Sequence, residues 1–165
     1  MTLTTHAVAG AALAALIPQH PIAGFAAGFA SHFLLDAIPH YDYAILSQSI
    51  HPRMGGPVRL DRALALDMAR IGGDALLGLA LSALIFATPS AADAVLWGAF
   101  GGILPDALQF VYGRFGQELL SPLQRFHEWI HSKKRLEVEG RLVVGILSQL
   151  FLLALIIGTG LYLVR

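Results

Sequence analysis

An all-α fold is predicted for this chain: a polytopic membrane protein of two parallel helical-hairpin repeats, followed by an amphipathic helix and a C-terminal transmembrane helix. Composition is the first observation. Of the 165 residues, 56% are hydrophobic and 13% charged, with a mean hydropathy of +0.65, whereas soluble domains are about 25% charged. The second is punctuation, because apolar runs of helical length are separated by polar stretches containing Pro and Gly. The third is an internal repeat, residues 5–38 recurring in residues 73–112. Residues 1–165 are expected to form a single membrane domain.

The first helix is expected over residues 5–17, with Thr4 or Thr5 as its N-cap. It is short for a full span. Pro18-Gln19-His20-Pro21 turns the chain into a second helix over 22–38, where Gly24, Ala27 and Gly28 suit close helix packing. Residues 39–61 are polar and irregular, with Arg53-Met54-Gly55-Gly56-Pro57 the clearest loop signal. A third helix is expected over 60–87, a turn at Thr88-Pro89-Ser90, and a fourth helix over 91–112. Ser121-Pro122-Leu123-Gln124 reads as a capping box opening an amphipathic helix over 121–135. Leu123, Phe126, His127, Ile130 and His131 share one stripe of it, with Gln124, Arg125, Glu128 and Ser132 on the other side. The last helix, 142–164, carries no formal charge and is long enough to span.

Charge sets exclusions and an orientation. The formal net charge is zero, so no global field points to nucleic acid. Without cysteine, disulfides, Cys-zinc sites and thiol nucleophiles are excluded, and a metal must be held by His, Asp and Glu. Arg53, Arg59, Arg62 and Arg70 lie in or near one long connection, and Arg114, Arg125, Lys133, Lys134, Arg135 and Arg141 in the other. The positive-inside rule then puts both connections and the N-terminus in the cytoplasm and the C-terminus outside. The N-terminus has no basic region ahead of its apolar run and is expected to be retained.

The segment Ser-His-Phe-Leu-Leu-Asp-Ala-Ile-Pro-His-Tyr-Asp, residues 31–42, holds the densest chemistry. His32 and Asp36 stand one turn apart on one helix face, Pro39 ends the helix, and His40 and Asp42 follow. An imidazole and a carboxylate so spaced can share a divalent cation, and ionisable groups in membrane helices are costly and usually functional. The repeat multiplies this signal. His6-Ala-Val-Ala-Gly-Ala-Ala-Leu-Ala-Ala-Leu-Ile17 aligns without gaps on Asp74-Ala-Leu-Leu-Gly-Leu-Ala-Leu-Ser-Ala-Leu-Ile85, and Leu34-Leu35-Asp36-Ala37 on Leu104-Pro105-Asp106-Ala107. His6 thus pairs with Asp74, and Asp36 with Asp106. Two parallel hairpins bring these four groups to one side of the membrane, where the amphipathic helix adds its histidines. The expected metal ligands are His6, His32, Asp36, Asp74, Asp106, His127 and His131, holding one to three divalent ions, zinc first among them. Asp42 and Glu128 are the candidate catalytic bases. Each residue also has a plainer role: His6, His127 and His131 at the interface, Asp74 paired with Arg70, Asp106 on the surface. His20 and His51 fall in loops and carry no expectation.

His127-Glu128-Trp129-Ile130-His131 also matches H-E-x-x-H, the helix of zinc metalloproteases. In that reading the two histidines bind zinc and Glu128 activates water. Glu137 and Glu139 are the available third ligands, close behind the Lys-Lys-Arg run.

Taken together, Thr5-His6-Ala-Val-Ala-Gly10, Ser31-His32, Asp36, Pro39-His40-Tyr41-Asp42, Leu104-Pro105-Asp106 and His127 with His131-Ser132 resemble the small membrane-bound metal-dependent hydrolases. The best-known of these are LexA-regulated bacterial inner-membrane proteins. More distantly, the pattern is similar to the all-helical zinc-dependent phospholipase C domains, which use His and Asp ligands at a multinuclear site. The likeness runs to about Ser132. It departs where the family often has H-R-G-x-T-H-S and this chain has His-Glu-Trp-Ile-His-Ser, and where Leu108 stands in place of a second Asp after Asp106.

The resemblance implies a hydrolase of the bacterial inner membrane with its site facing the cytoplasm. The expected substrate is a phosphoester, of a membrane lipid or a small molecule. The alternatives are an H-E-x-x-H metalloprotease and a non-catalytic metal-binding or scaffold membrane protein.

Overall fold

The computed structural model describes residues 1–42, 45–47, 61–115, 118–131 and 142–164. Among these residues all regular structure is helical: α1 (Leu3–Ala15), α2 (Pro21–Asp36), α3 (Arg62–Phe86), α4 (Ala92–Phe115), α5 (Ser121–Ile130) and α6 (Leu142–Leu163), with a 3-10 turn, Glu118–Leu120, leading into α5. The Arg-Met-Gly-Gly-Pro loop signal, His51 and the Lys133-Lys134-Arg135 run lie outside the described residues.

Among the described residues, three helices are long and apolar enough to cross a membrane: Arg62–Phe86, Ala92–Gly113 and Val143–Leu163. α1 is not. Its 13 residues reach only about 20 Å at 1.5 Å per residue, against a hydrocarbon core of about 30 Å. It is instead the inner helix of the fold. Every residue of α1 except Leu13 is buried, and α2, α3, α4 and α6 all pack on it. An Ala- and Gly-rich helix that is apolar all round can only be stable inside other elements.

Glycines set how closely these helices pack. A Cβ on Gly10 or Gly28 would run into the Gly98 carbonyl, and one on Gly102 into the His6 carbonyl. Backbone therefore meets backbone where α1, α2 and α4 cross, the small-residue packing of membrane helices. Around the crossing, Leu3, Ala7, Val8, Ala11, Val95 and Ala99 belong to the core, with Ile156, Ile157 and Leu161 of α6 against it.

Three helix ends differ from the expectation. α1 begins at Leu3 with Thr2 in the N-cap position, and no side chain of its own caps it. The capping box before α5 does not form, because the 3-10 turn runs straight into the helix and makes Ser121 its first residue. α5 closes at Ile130, and Gln124, expected on its solvent side, is buried. The Asp61 side chain caps α3 by accepting from the Leu64 N–H at 3.0 Å.

Candidate metal centre

Four helices deliver ionisable side chains to one place. α1 supplies His6, α2 supplies His32 and Asp36, α4 supplies Asp106, and α5 supplies His127, with His131 just past its end. The segment after α2 adds His40 and Asp42. Asp36 is the hub. It is 1% exposed, and its two oxygens face different neighbours. Oδ2 lies 2.8 Å from His127 Nε2 and 3.1 Å from His32 Nε2. Oδ1 lies 3.1 Å from His6 Nε2, 3.7 Å from His40 Nε2 and 3.3 Å from the Met1 ammonium.

The imidazoles are oriented by the backbone. His32 Nδ1 donates to the Gly102 carbonyl at 2.8 Å, which turns Nε2 toward Asp36. Gly102 sits one turn before Pro105, a proline inside α4, whose missing N–H frees the adjacent Gly101 carbonyl. His40 Nδ1 donates to the Ile38 carbonyl at 2.6 Å, again leaving Nε2 for the site. A histidine fixed by its far nitrogen is the usual arrangement around a bound metal.

Among the described residues, two groups of atoms are close enough to hold an ion: His32, Asp36, Asp106 and His127, and Asp36, His40 and His131. In the first, the edges between donor atoms are 2.8 and 3.1 Å from Asp36 to the two histidines, 3.1 Å between the histidines, and 3.6 and 3.8 Å from Asp106 to them. Four donors at about 2.0–2.1 Å from one centre in tetrahedral array lie about 3.3 Å apart, and these edges scatter around that value. In the second group, Asp42 completes the surroundings, 3.0 Å from His40 Nε2 and 3.5 Å from His131 Nε2.

Unsatisfied nitrogen gives an independent sign. Both ring nitrogens of His6 and Nε2 of His40 are buried without a hydrogen bond. His6 Nε2 is near Asp36 Oδ1, but without the alignment of a hydrogen bond. Its ring stacks on His32 with centroids 3.9 Å apart. Buried polar atoms are normally paired, and His40 Nε2 belongs to the second donor group, where a cation would satisfy it. The buried His/Asp cluster can hold a metal ion.

The outer rim is more open, with Asp106, Asp42 and His131 each about a third exposed or less. Burial disfavours the ionised Asp42, but the close approach of His40 Nε2 and the Met1 ammonium outweigh it and hold the carboxyl below the usual carboxylate range. The ammonium is 2.6 Å from Asp42 Oδ1.

Two expected site residues lie elsewhere. Asp74 faces the start of α1: it accepts from the Leu3 and Thr4 N–H groups at 2.6 and 3.2 Å and from the Thr4 hydroxyl at 2.6 Å. It caps α1 from a neighbouring helix, two and three residues before the His6 that it matches in the repeat alignment, and it belongs to neither donor group. Glu128 is exposed on the outer side of α5 and accepts from Gln124 Nε2 at 3.4 Å. His20, outside the expected set, is exposed at the start of α2. His40 was not among the expected ligands, although its place directly after Pro39 in the densest segment was a usable signal.

No protein-family model matches the chain, and no curated protein or solved structure matches it.

Proposed function

We propose that the protein is a membrane-embedded, metal-dependent hydrolase acting on a phosphoester, with zinc as the first candidate ion. The observation that carries this reading is the tetrahedral spacing of the His32, Asp36, Asp106 and His127 donors around a buried position. Imidazole and carboxylate at these separations suit zinc better than magnesium or calcium, which favour all-oxygen shells. The two donor groups share Asp36, which supports two ions. The sequence resemblance to membrane-bound metal-dependent hydrolases points the same way.

Divalent ions supply Lewis-acid activation of a phosphoryl group and of water. The chain's own residues do the rest. His6, His32 and His127 wall the buried side, while the Asp42 and Asp106 rim leaves an approach for substrate. Asp42 stands at that rim as the better placed of the two candidate bases, because Glu128 turns outward. The basic residues of the two long connections support a cytoplasmic site in a bacterial-type inner membrane.

The test is turnover by purified, zinc-loaded protein on phosphomonoesters and phosphodiesters, soluble and lipid-borne. Phosphate release that disappears on chelation and in Asp36→Asn supports the reading. Full metal occupancy with no turnover of any phosphoester would favour a non-catalytic metal-binding protein. Peptide cleavage dependent on Glu128 would favour the protease.

A further inference from the structure

A cavity of about 230 Å³ lies directly beside the second donor group. One wall is the segment after α2, with Ile38, Pro39 and His40, and the other is α6, with Phe151 and Leu152; Met1 lies at its inner end. It is smaller than a typical pocket for a compact organic ligand, about 300–1,000 Å³.

Its polar groups are already engaged. Gln149 of α6 also lines the cavity, but its Nε2 donates to the Tyr41 carbonyl at 2.6 Å and its Oε1 accepts from the Thr2 N–H at 3.3 Å. The Ser148 hydroxyl donates to the Gly145 carbonyl at 2.9 Å. The Gln149 bonds tie α6 to the opposite wall, and all three leave little for a polar ligand or an ordered water, which needs two to four polar partners. The exception is His40, whose buried Nε2 lacks a hydrogen bond and belongs to the metal donors. The cavity is therefore apolar along its length and polar only where it meets the centre.

Its outer end reaches the surface at Phe151, which is 72% exposed. Phe151 sits in the middle of α6, a helix able to cross a membrane, among further exposed apolar side chains such as Leu147, Leu150 and Leu155. In a bilayer that face meets acyl chains.

We infer that this cavity seats an acyl chain of a membrane lipid whose phosphoester lies at the His/Asp centre, the lipid entering sideways past α6. The inference rests on the phosphoester reading above and narrows its substrate to a lipid. A soluble phosphoester would leave the cavity without an occupant.

The test uses zinc-loaded protein in phospholipid nanodiscs containing phosphatidic acid with a photoactivatable diazirine on one acyl chain. After irradiation, adducts are mapped by mass spectrometry and released phosphate is measured in the same sample. Adducts are expected on Ile38, Phe151 and Leu152, suppressed by dodecyl phosphate and not by glycerol phosphate. Leu152→Trp fills the cavity from α6 and Ile38→Trp from the opposite wall. Each should lower those adducts by about tenfold, the scale of a lost buried chain segment, while metal content confirms the fold. Adducts spread evenly over Leu150, Leu155 and the outer face of α3, unchanged in both variants, would overturn the inference. Adducts without phosphate release would leave the cavity assignment standing and count against hydrolysis. Phosphate release without these adducts would do the reverse.

Discussion

The Nε2 atoms of His32 and His127 lie 3.1 Å apart, from different helices and 95 residues apart in sequence. Because His32 donates its other nitrogen to the Gly102 carbonyl, its Nε2 presents a lone pair to His127 and Asp36. Such nitrogens approach favourably when a proton or a cation lies between them. His127→Ala removes one of four donors and should weaken zinc binding by about 100-fold or more, beyond the effect of losing an outer-shell partner. Competition with a chelator of known affinity measures this.

Chelation should destabilise the whole fold, since the donors come from α2, α4 and α5 and from the segments that follow α2 and α5. An ion at 100 times its dissociation constant contributes about 2.7 kcal/mol. The thermal midpoint in detergent should fall on adding a chelator and recover on adding zinc. An unchanged midpoint would mean that no ion was holding these helices.

Asp74→Ala separates capping from ligation. The substitution strips α1 of the acceptor for Leu3, Thr4 and the Thr4 hydroxyl. Leaving buried donors unpaired costs about 1–3 kcal/mol. The variant should melt earlier yet keep the parent zinc stoichiometry at low temperature. Loss of metal at full stability would return Asp74 to the ligand set.

The helix crossing gives a paired prediction. Gly98→Ala puts a methyl against Ala14 and the Gly10 carbonyl, backbone that cannot move aside cheaply, and should cost about 1–3 kcal/mol. Gly72→Ala meets nothing within 4 Å and should be neutral or stabilise by up to about 1 kcal/mol through helix propensity. Thermal midpoints of the two variants compare them directly.

Much of this architecture was legible because it is written in local signals. Pro18, Pro39, Pro89 and Pro122 stand at helix ends or starts, so the helix order followed from them. Asp36 and Asp106 were singled out as charges in apolar helices and His127 as an imidazole on the apolar stripe of an amphipathic one, and each stands within reach of another in the structure. The central position of α1 was less accessible. A helix of Ala and Gly is apolar on every side, so its pattern shows that it is buried but not by what.

The partners of Asp74 were hidden for a related reason. They are two backbone N–H groups of α1, which carry no sequence signal, and the hydroxyl of Thr4, while the repeat alignment pointed to His6. Glu128 shares the H-E-x-x-H spacing, but at one position past His127 it turns about 100° away on the helix. The capping box of Ser121 and Gln124 was a correct local pattern overridden by the preceding 3-10 turn. Gln149, which links α6 to Thr2 and Tyr41, is a lone polar residue in an apolar helix, and that contrast could have marked it.

Metal stoichiometry of Asp36→Ala, Asp106→Ala and Glu128→Ala beside the parent protein bears most directly on the shared His/Asp centre. Asp36 faces both donor groups and Asp106 completes the first, whereas Glu128 is exposed on α5. The parent should retain at least about one zinc per chain, as a metal catalyst requires. Asp36→Ala and Asp106→Ala should lose it and Glu128→Ala should keep it. Parent-level metal in both aspartate variants, with loss only when His127 is removed, would contradict the shared centre and leave the short α5 motif standing alone.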